Sequence, residues 1–104
     1  MSLKDVQKEV DEWISQYKIG YFKPHEILAR LSEEVGETAR EINHLFGSKK
    51  KKDFEDTRGL QEELGDIIFT VVCLANSLNL DLDESFKTIM DKCYGRDSER
   101  WEKK

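Results

Sequence analysis

Apolar positions recur at steps of three and four along nearly the whole chain, the spacing that gathers side chains on one face of an α-helix. Leu3, Val6, Val10, Trp13, Ile14 and Tyr17 form a first stripe. Ser2 is placed to cap it, Asp5 sits where a capping-box acid belongs, and Gly20 predicts the stop. Pro24 suits the first turn of a second helix, where its missing N–H would have no partner anyway. That helix carries Ile27, Leu28, Leu31, Val35, Ala39, Ile42 and Leu45 and ends at Gly47. Residues 48–57, SKKKKDFEDT, have no period and read as a loop, with Lys49 to Lys52 a solvated surface feature. A third helix is predicted from near Thr57, with Leu60, Leu64, Ile67, Ile68, Val71, Ala75 and Leu78 as its stripe. Between Ile67 and Ala75 it is apolar almost all round, which calls for cover on several sides, some of it from a partner subunit in so small a chain. Asp81 or Asp83 caps a fourth helix whose expected buried face is Phe86, Ile89, Met90 and Cys93, with Gly95 interrupting it. The tail RDSERWEKK adds at most a short helical turn. No strand-like alternation, internal repeat or linker is present. The pattern therefore predicts one all-α domain over residues 1–104, a four- to five-helix bundle completed by oligomerisation.

Composition narrows the partners. Among 104 residues, 17 are Lys or Arg and 22 are Asp or Glu, so the net charge is −5 and a global basic footprint for a nucleic-acid polymer is missing. No run of about 18 apolar residues exists to span a membrane. The charged start MSLKDVQKEV lacks the hydrophobic region of a signal peptide. Cys73 and Cys93 sit at apolar-periodic positions and read as reduced packing residues, which fits a cytoplasmic protein.

The chemistry-bearing feature lies on the second and third helices, as Glu33-Glu34-Val35-Gly36-Glu37 and Glu63-Leu64-Gly65-Asp66. Residues three apart lie about 60° apart around a helix. Glu34 and Glu37 thus project from one side, and so do Glu63 and Asp66 on theirs. Each pair starts on the shoulder of an apolar stripe, so packing the stripes brings the pairs toward each other. Converging carboxylates repel by several kcal/mol per pair, on the order of 4 kcal/mol at 4 Å and an effective dielectric near 20. Protonation, basic partners or hard cations would relieve that, and oxygen-only ligands suit Mg²⁺ or Mn²⁺ better than zinc. Gly36 and Gly65 each cost about 1 kcal/mol of helix propensity, and are expected to admit a close approach to the helix backbone, either by a facing helix or by a ligand. The competing reading is a non-catalytic helical module whose acids are a solvated face.

The segments LSEEVGETARE (31–41) and QEELGDIIFTVVCLAN (61–76) resemble the MazG family of all-α nucleoside triphosphate pyrophosphohydrolases, whose signature is E-x-x-E, a spacer, then E-x-x-D. The likeness extends back through PHEILARL (24–31) and forward to MDKCYGRDSERW (90–101), and is greatest to the short, single-domain members. It implies hydrolysis of a nucleoside triphosphate between the α and β phosphates, with Mg²⁺ or Mn²⁺ held by Glu34, Glu37, Glu63 and Asp66. It also implies a homodimer or tetramer, and a house-cleaning role toward nucleotide pools. Glu34 or Glu37 is the expected acceptor of the water proton, with Glu33 an outside candidate. Lys92 and Arg96, one turn apart, are expected to meet phosphate. Lys18, Tyr21 and Phe22 are expected at the nucleobase, whereas Trp13 and Tyr17 fit the core stripe. Glu41 reads as an ion-pair partner, Arg100 as solvent-facing, and His25 and His44 as surface or supporting residues.

Overall fold

A computed structural model of the chain describes residues 1–47 and 58–104. Among the described residues are four helices and no strand: α1 (Leu3–Ile14), α2 (Pro24–Phe46), α3 (Arg58–Ser77) and α4 (Leu82–Tyr94). The lysine-rich stretch 48–57, including the expected helix start at Thr57, lies outside the described residues.

The helix ends follow their local chemistry. The Ser2 hydroxyl accepts from the Asp5 amide at 3.0 Å, and the Ser2 amide donates back to the Asp5 carboxylate at 2.9 Å. Two further free amides at the start of α1, those of Leu3 and Lys4, donate to the two carboxylate oxygens of Asp83 at 3.0 and 3.2 Å, so the start of α4 caps α1. Pro24 opens α2 and Gly47 closes it. Asp81 caps α4 by accepting from the amides of Asp83 and Glu84, and Gly95 is its C-cap. The first helix stops earlier than its stripe predicts. It ends at Ile14, and the chain turns through Tyr17 to Gly20, whose φ of +62° is a left-handed conformation that glycine adopts freely. Tyr17 therefore leaves the helix.

Packing centres on α3, which lies against α2 along much of its length and against α1, while α4 leans on α1. The chain bends by 110° between α3 and α4. The core joins Val10, Ile27, Val72 and Cys73, flanked by Val6, Ile14, Tyr21, Leu74 and Leu82. A side-chain network stitches the same end. Gln7 Nε2 donates to Asn76 Oδ1 at 2.9 Å and to the Leu80 carbonyl at 2.8 Å, and Gln7 Oε1 accepts from the Leu82 amide at 3.0 Å. Asn76 Nδ2 donates to the Gln7 carbonyl and to the Tyr21 hydroxyl, both at 2.9 Å.

The stripes are only partly covered. Leu28, Val35 and Ile42 on α2 and Leu64 and Ile68 on α3 are exposed. The expected buried face of α4 does not form: none of its residues is buried, and Cys93 is exposed while Cys73 is buried, both as free thiols. The cause is the position of α4, which sits against α1 rather than over the α2–α3 seam. The radius of gyration is 17.1 Å, against about 13 Å for a compact domain of this length. No single described helix is long and apolar enough to cross a membrane.

Candidate active site

Glu41 on α2 lies beside Gly59 on α3, where an added Cβ would stand 3.2 Å from Glu41 Oε1. Glu37 lies beside Glu63. The index falls on one helix as it rises on the other, so α2 and α3 run antiparallel and present the two acidic motifs to each other. Carboxylate oxygens of Glu34, Glu37 and Glu63 all fall within 4.8 Å of one another. Asp66, the fourth expected member, is exposed and stands outside this trio, although its charge still bears on Glu63. Burial first, then the negative charges of Glu37, Glu34 and Asp66, push the Glu63 carboxyl above the ordinary glutamate range, and a hydrogen bond with Glu37 adds to the rise. Two oxygens of the trio, Glu34 Oε2 and Glu63 Oε2, are shut off from solvent and have no hydrogen-bond partner among the described residues. A buried acceptor left in that state costs about 1–3 kcal/mol. Three carboxylates that bring oxygens this close, two of them also carrying an unsatisfied buried oxygen, make an all-oxygen donor set suited to a hard divalent cation.

Each acidic motif is backed by a buried threonine. Thr38 Oγ1 donates to the Glu34 carbonyl at 2.9 Å and Thr70 Oγ1 to the Asp66 carbonyl at 2.8 Å, so both hydroxyls are satisfied within their own helix and turn methyl groups to their surroundings. No described part of the chain makes the close approach expected at Gly36 and Gly65: an added Cβ at either would meet nothing within 4 Å, which leaves the ligand as the remaining candidate of the two expected. Gly59 is the α3 glycine that a neighbouring side chain crowds.

Next to the acids opens a cavity of about 500 Å³, within the range of small-molecule sites. Its walls are Trp13 and Ile14, Tyr17 and Ile19 to Phe22 from the turn, Ile27 and Arg30 from α2, and Phe69, Thr70 and Cys73 from α3. Trp13 and Tyr17 are half exposed, at 51% and 50%, and so are not the core residues that the stripe predicts. They meet edge to face with ring centres 5.2 Å apart, and Trp13 meets Phe69 likewise at 6.1 Å. Tyr21 lines the cavity with its ring while its hydroxyl donates to Asp11 Oδ1 at 2.8 Å and accepts from Asn76. Burial and the Asp11 contact push that phenol up to about 12. Phe22 is part of the wall; Lys18 is exposed and is not.

Comparison with known proteins follows the same lines. Residues 22–101 match the model of the MazG nucleotide pyrophosphohydrolase domain. The chain belongs to the MazG family. It is 50% identical over 103 residues to the uncharacterized protein YpjD of Bacillus subtilis (strain 168), covering 99% of this chain and 93% of that protein. The crystal structure of YpjD from Bacillus subtilis, presented there as a candidate pyrophosphatase, superposes with a TM-score of 0.82 at 51% identity, over 88% of this chain and 94% of that one. A Bacillus-conserved MazG protein, described as a nucleotide pyrophosphohydrolase, superposes with a TM-score of 0.77 at 48% identity, over 88% of each chain. The protein is thus a pyrophosphohydrolase of the MazG type.

Within this MazG domain the basic residues at and after the end of α4 have local surroundings of their own. Arg96 Nε pairs with Asp97 Oδ1 at 3.0 Å, Arg100 Nη1 reaches the same oxygen at 3.9 Å, and Lys92 is exposed in the last turn of α4. The Arg96 contact first, with the charges of Arg96 and Lys92, holds the Asp97 carboxyl below its ordinary range. Glu33 is exposed. Glu41 and His44 form a glutamate–histidine pair three residues apart, as in one half of a di-iron bundle, but α3 carries no histidine to supply the other half. His44 Nδ1 is buried without a partner among the described residues. Sequence reading missed Arg30, Phe69, Asn76 and Gln7. A residue at position 30, three after buried Ile27 and four before Glu34, was the available signal, since that spacing keeps all three on one helix face.

Proposed function

We propose that this MazG protein hydrolyses a nucleoside or deoxynucleoside triphosphate between the α and β phosphates, giving the monophosphate and pyrophosphate, with Mg²⁺ or Mn²⁺ as cofactor. The observation that carries the reading is the trio of carboxylates with two unsatisfied buried oxygens, placed beside an aromatic cavity. Glu34, Glu37 and Glu63 would hold the cation, with Asp66, one turn on from Glu63, as the fourth acid of the motif. When bound, such a cation cancels phosphate charge and lowers the pKa of water.

The residues of the chain supply the remainder. Trp13, Tyr17, Tyr21 and Phe22 enclose the base and exclude water from one side of it. The Asp11 and Asn76 contacts fix the Tyr21 ring against the slot. Glu34 or Glu37 accepts a proton from the attacking water, and either is close enough to the other acids to pass it on. In-line attack then needs only that the polyphosphate be held still. Lys92 and Arg96, one turn apart at and after the end of α4, supply positive charge to the phosphates. A dimer or tetramer is supported by the exposed apolar rows on α2 and α3 and by the extended shape of the single chain. The setting is cytoplasmic, with free nucleotides as substrate.

A pyrophosphate-release screen over standard, deoxy and damaged nucleoside triphosphates, each with Mg²⁺ and with Mn²⁺, tests the proposal. Turnover of at least one nucleotide, lost on chelation, is expected. No pyrophosphate from any of them with either cation would overturn it.

A further inference from the structure

Three successive turns on one face of α2 meet three different environments. Ile27 is buried in the core and helps to wall the cavity, Arg30 stands at the cavity wall, and Glu34 belongs to the carboxylate trio. The face passes from apolar to cationic to anionic within about 10 Å at 1.5 Å per residue. Arg30 is the one charged residue among those that line the cavity.

Its guanidinium is available. Arg30 Nε approaches Glu34 Oε1 only to 4.0 Å, the outer reach of an ion pair, and the side chain is 65% exposed. Among the described residues it donates no hydrogen bond. Its charge also reaches the other side of the cavity, where burial pushes the Cys73 thiol up and Arg30 opposes the rise. The fork of five donors therefore stands between the slot and the acids, with its hydrogen bonds uncommitted.

A ligand matched to this order carries a flat apolar group, then an anion, then further anions that a cation can bind. We propose that Arg30 receives the phosphate attached directly to the nucleoside, and so sets where the scissile anhydride lies relative to Glu34, Glu37 and Glu63. This deepens the reading above and rests on it. The guanidinium is suited to the task because its planar fork pairs with two phosphate oxygens at once, which a lysine ammonium does not do. The aromatic slot has few polar groups of its own: Tyr21 commits its hydroxyl to Asp11 and Asn76, and Thr70 commits its hydroxyl to a backbone carbonyl. The slot thus holds a base by shape, and Arg30 fixes how far along it the nucleotide sits.

The test compares affinities of the four deoxynucleosides and their 5′-monophosphates in Mg²⁺ buffer, by titration calorimetry, for the full chain and for Arg30→Gln and Arg30→Lys. In the parent protein, the monophosphate of the best-bound base should bind at least about tenfold more tightly than its nucleoside. Arg30→Gln should reduce that ratio about tenfold while leaving nucleoside affinity unchanged, and Arg30→Lys should fall between. Retention of the full ratio in Arg30→Gln overturns the proposal. So does equal weakening of nucleoside and monophosphate, which would make Arg30 a mere wall residue, or failure of every monophosphate to bind the parent. Pyrophosphate release by the parent is read separately. If release fails while the Arg30 pattern holds, the proposed hydrolysis falls and the phosphate contact stands.

Discussion

The two ends of α3 are built on opposite terms. At its C-terminal end, Asn76 joins Gln7 and Tyr21 in a network where each polar side chain finds its partners, and Asp83 satisfies amides of α1. At its N-terminal end, Glu63 meets Glu37 and Glu34 with two buried oxygens unpaired. One end is a satisfied scaffold; the other holds like charges together against their repulsion. The contrast is what a rigid scaffold supporting a ligand-dependent site requires, since the unpaired end is stable only because the paired end and the core hold it.

The largest expected effect comes from breaking the unpaired end. Glu37→Gln should lower turnover about 100- to 10,000-fold, the range for loss of a group in proton transfer, with helical circular dichroism unchanged. Steady-state pyrophosphate release checks the first and far-ultraviolet spectra the second. Breaking the paired end should do the reverse. Asn76→Ala should cost about 1–3 kcal/mol of stability by leaving Gln7 and Tyr21 short of partners, read by urea unfolding. Gly36→Ala and Gly65→Ala should each add about 0.5–1 kcal/mol, because an alanine there meets no neighbour and lowers the cost of helix formation. If either also lowers turnover, the open surface at that glycine belongs to a ligand or a second copy. The smallest effect is that of pH on the cation-free protein. Glu63 has a folded-state pKa raised above its unfolded value. Its contribution favours the fold most below the ordinary glutamate range and is lost as pH rises through the raised value. Thermal melts from pH 7 down to about 5 should show a gain in stability that Glu63→Gln removes.

Much of this was legible in the chain itself. Ser2, Pro24, Gly47, Asp81 and Gly95 mark helix ends through local hydrogen bonding and backbone preference, which depend on neighbours in sequence. The meeting of Glu34, Glu37 and Glu63 follows from helical period and the antiparallel pairing of α2 with α3, although the stripes expected to drive that pairing are only partly covered. The cavity was not legible, because periodicity places Trp13 and Tyr17 on an apolar face without saying whether that face meets a side chain or an opening. The fate of α4 turned on a 110° bend after Ser77 that no local pattern encodes. The Gln7–Asn76 pair, 69 positions apart, is equally silent, since polar residues that bond across helices look like any solvent-facing ones.

The bond from the Leu3 amide to Asp83 spans 80 positions. Closing a loop of that length is entropically unfavourable and comes late. The opening helix is therefore capped in two tiers, a local one from Ser2 and Asp5 that needs only its own first turn and a distant one from Asp83 that needs α4 in place.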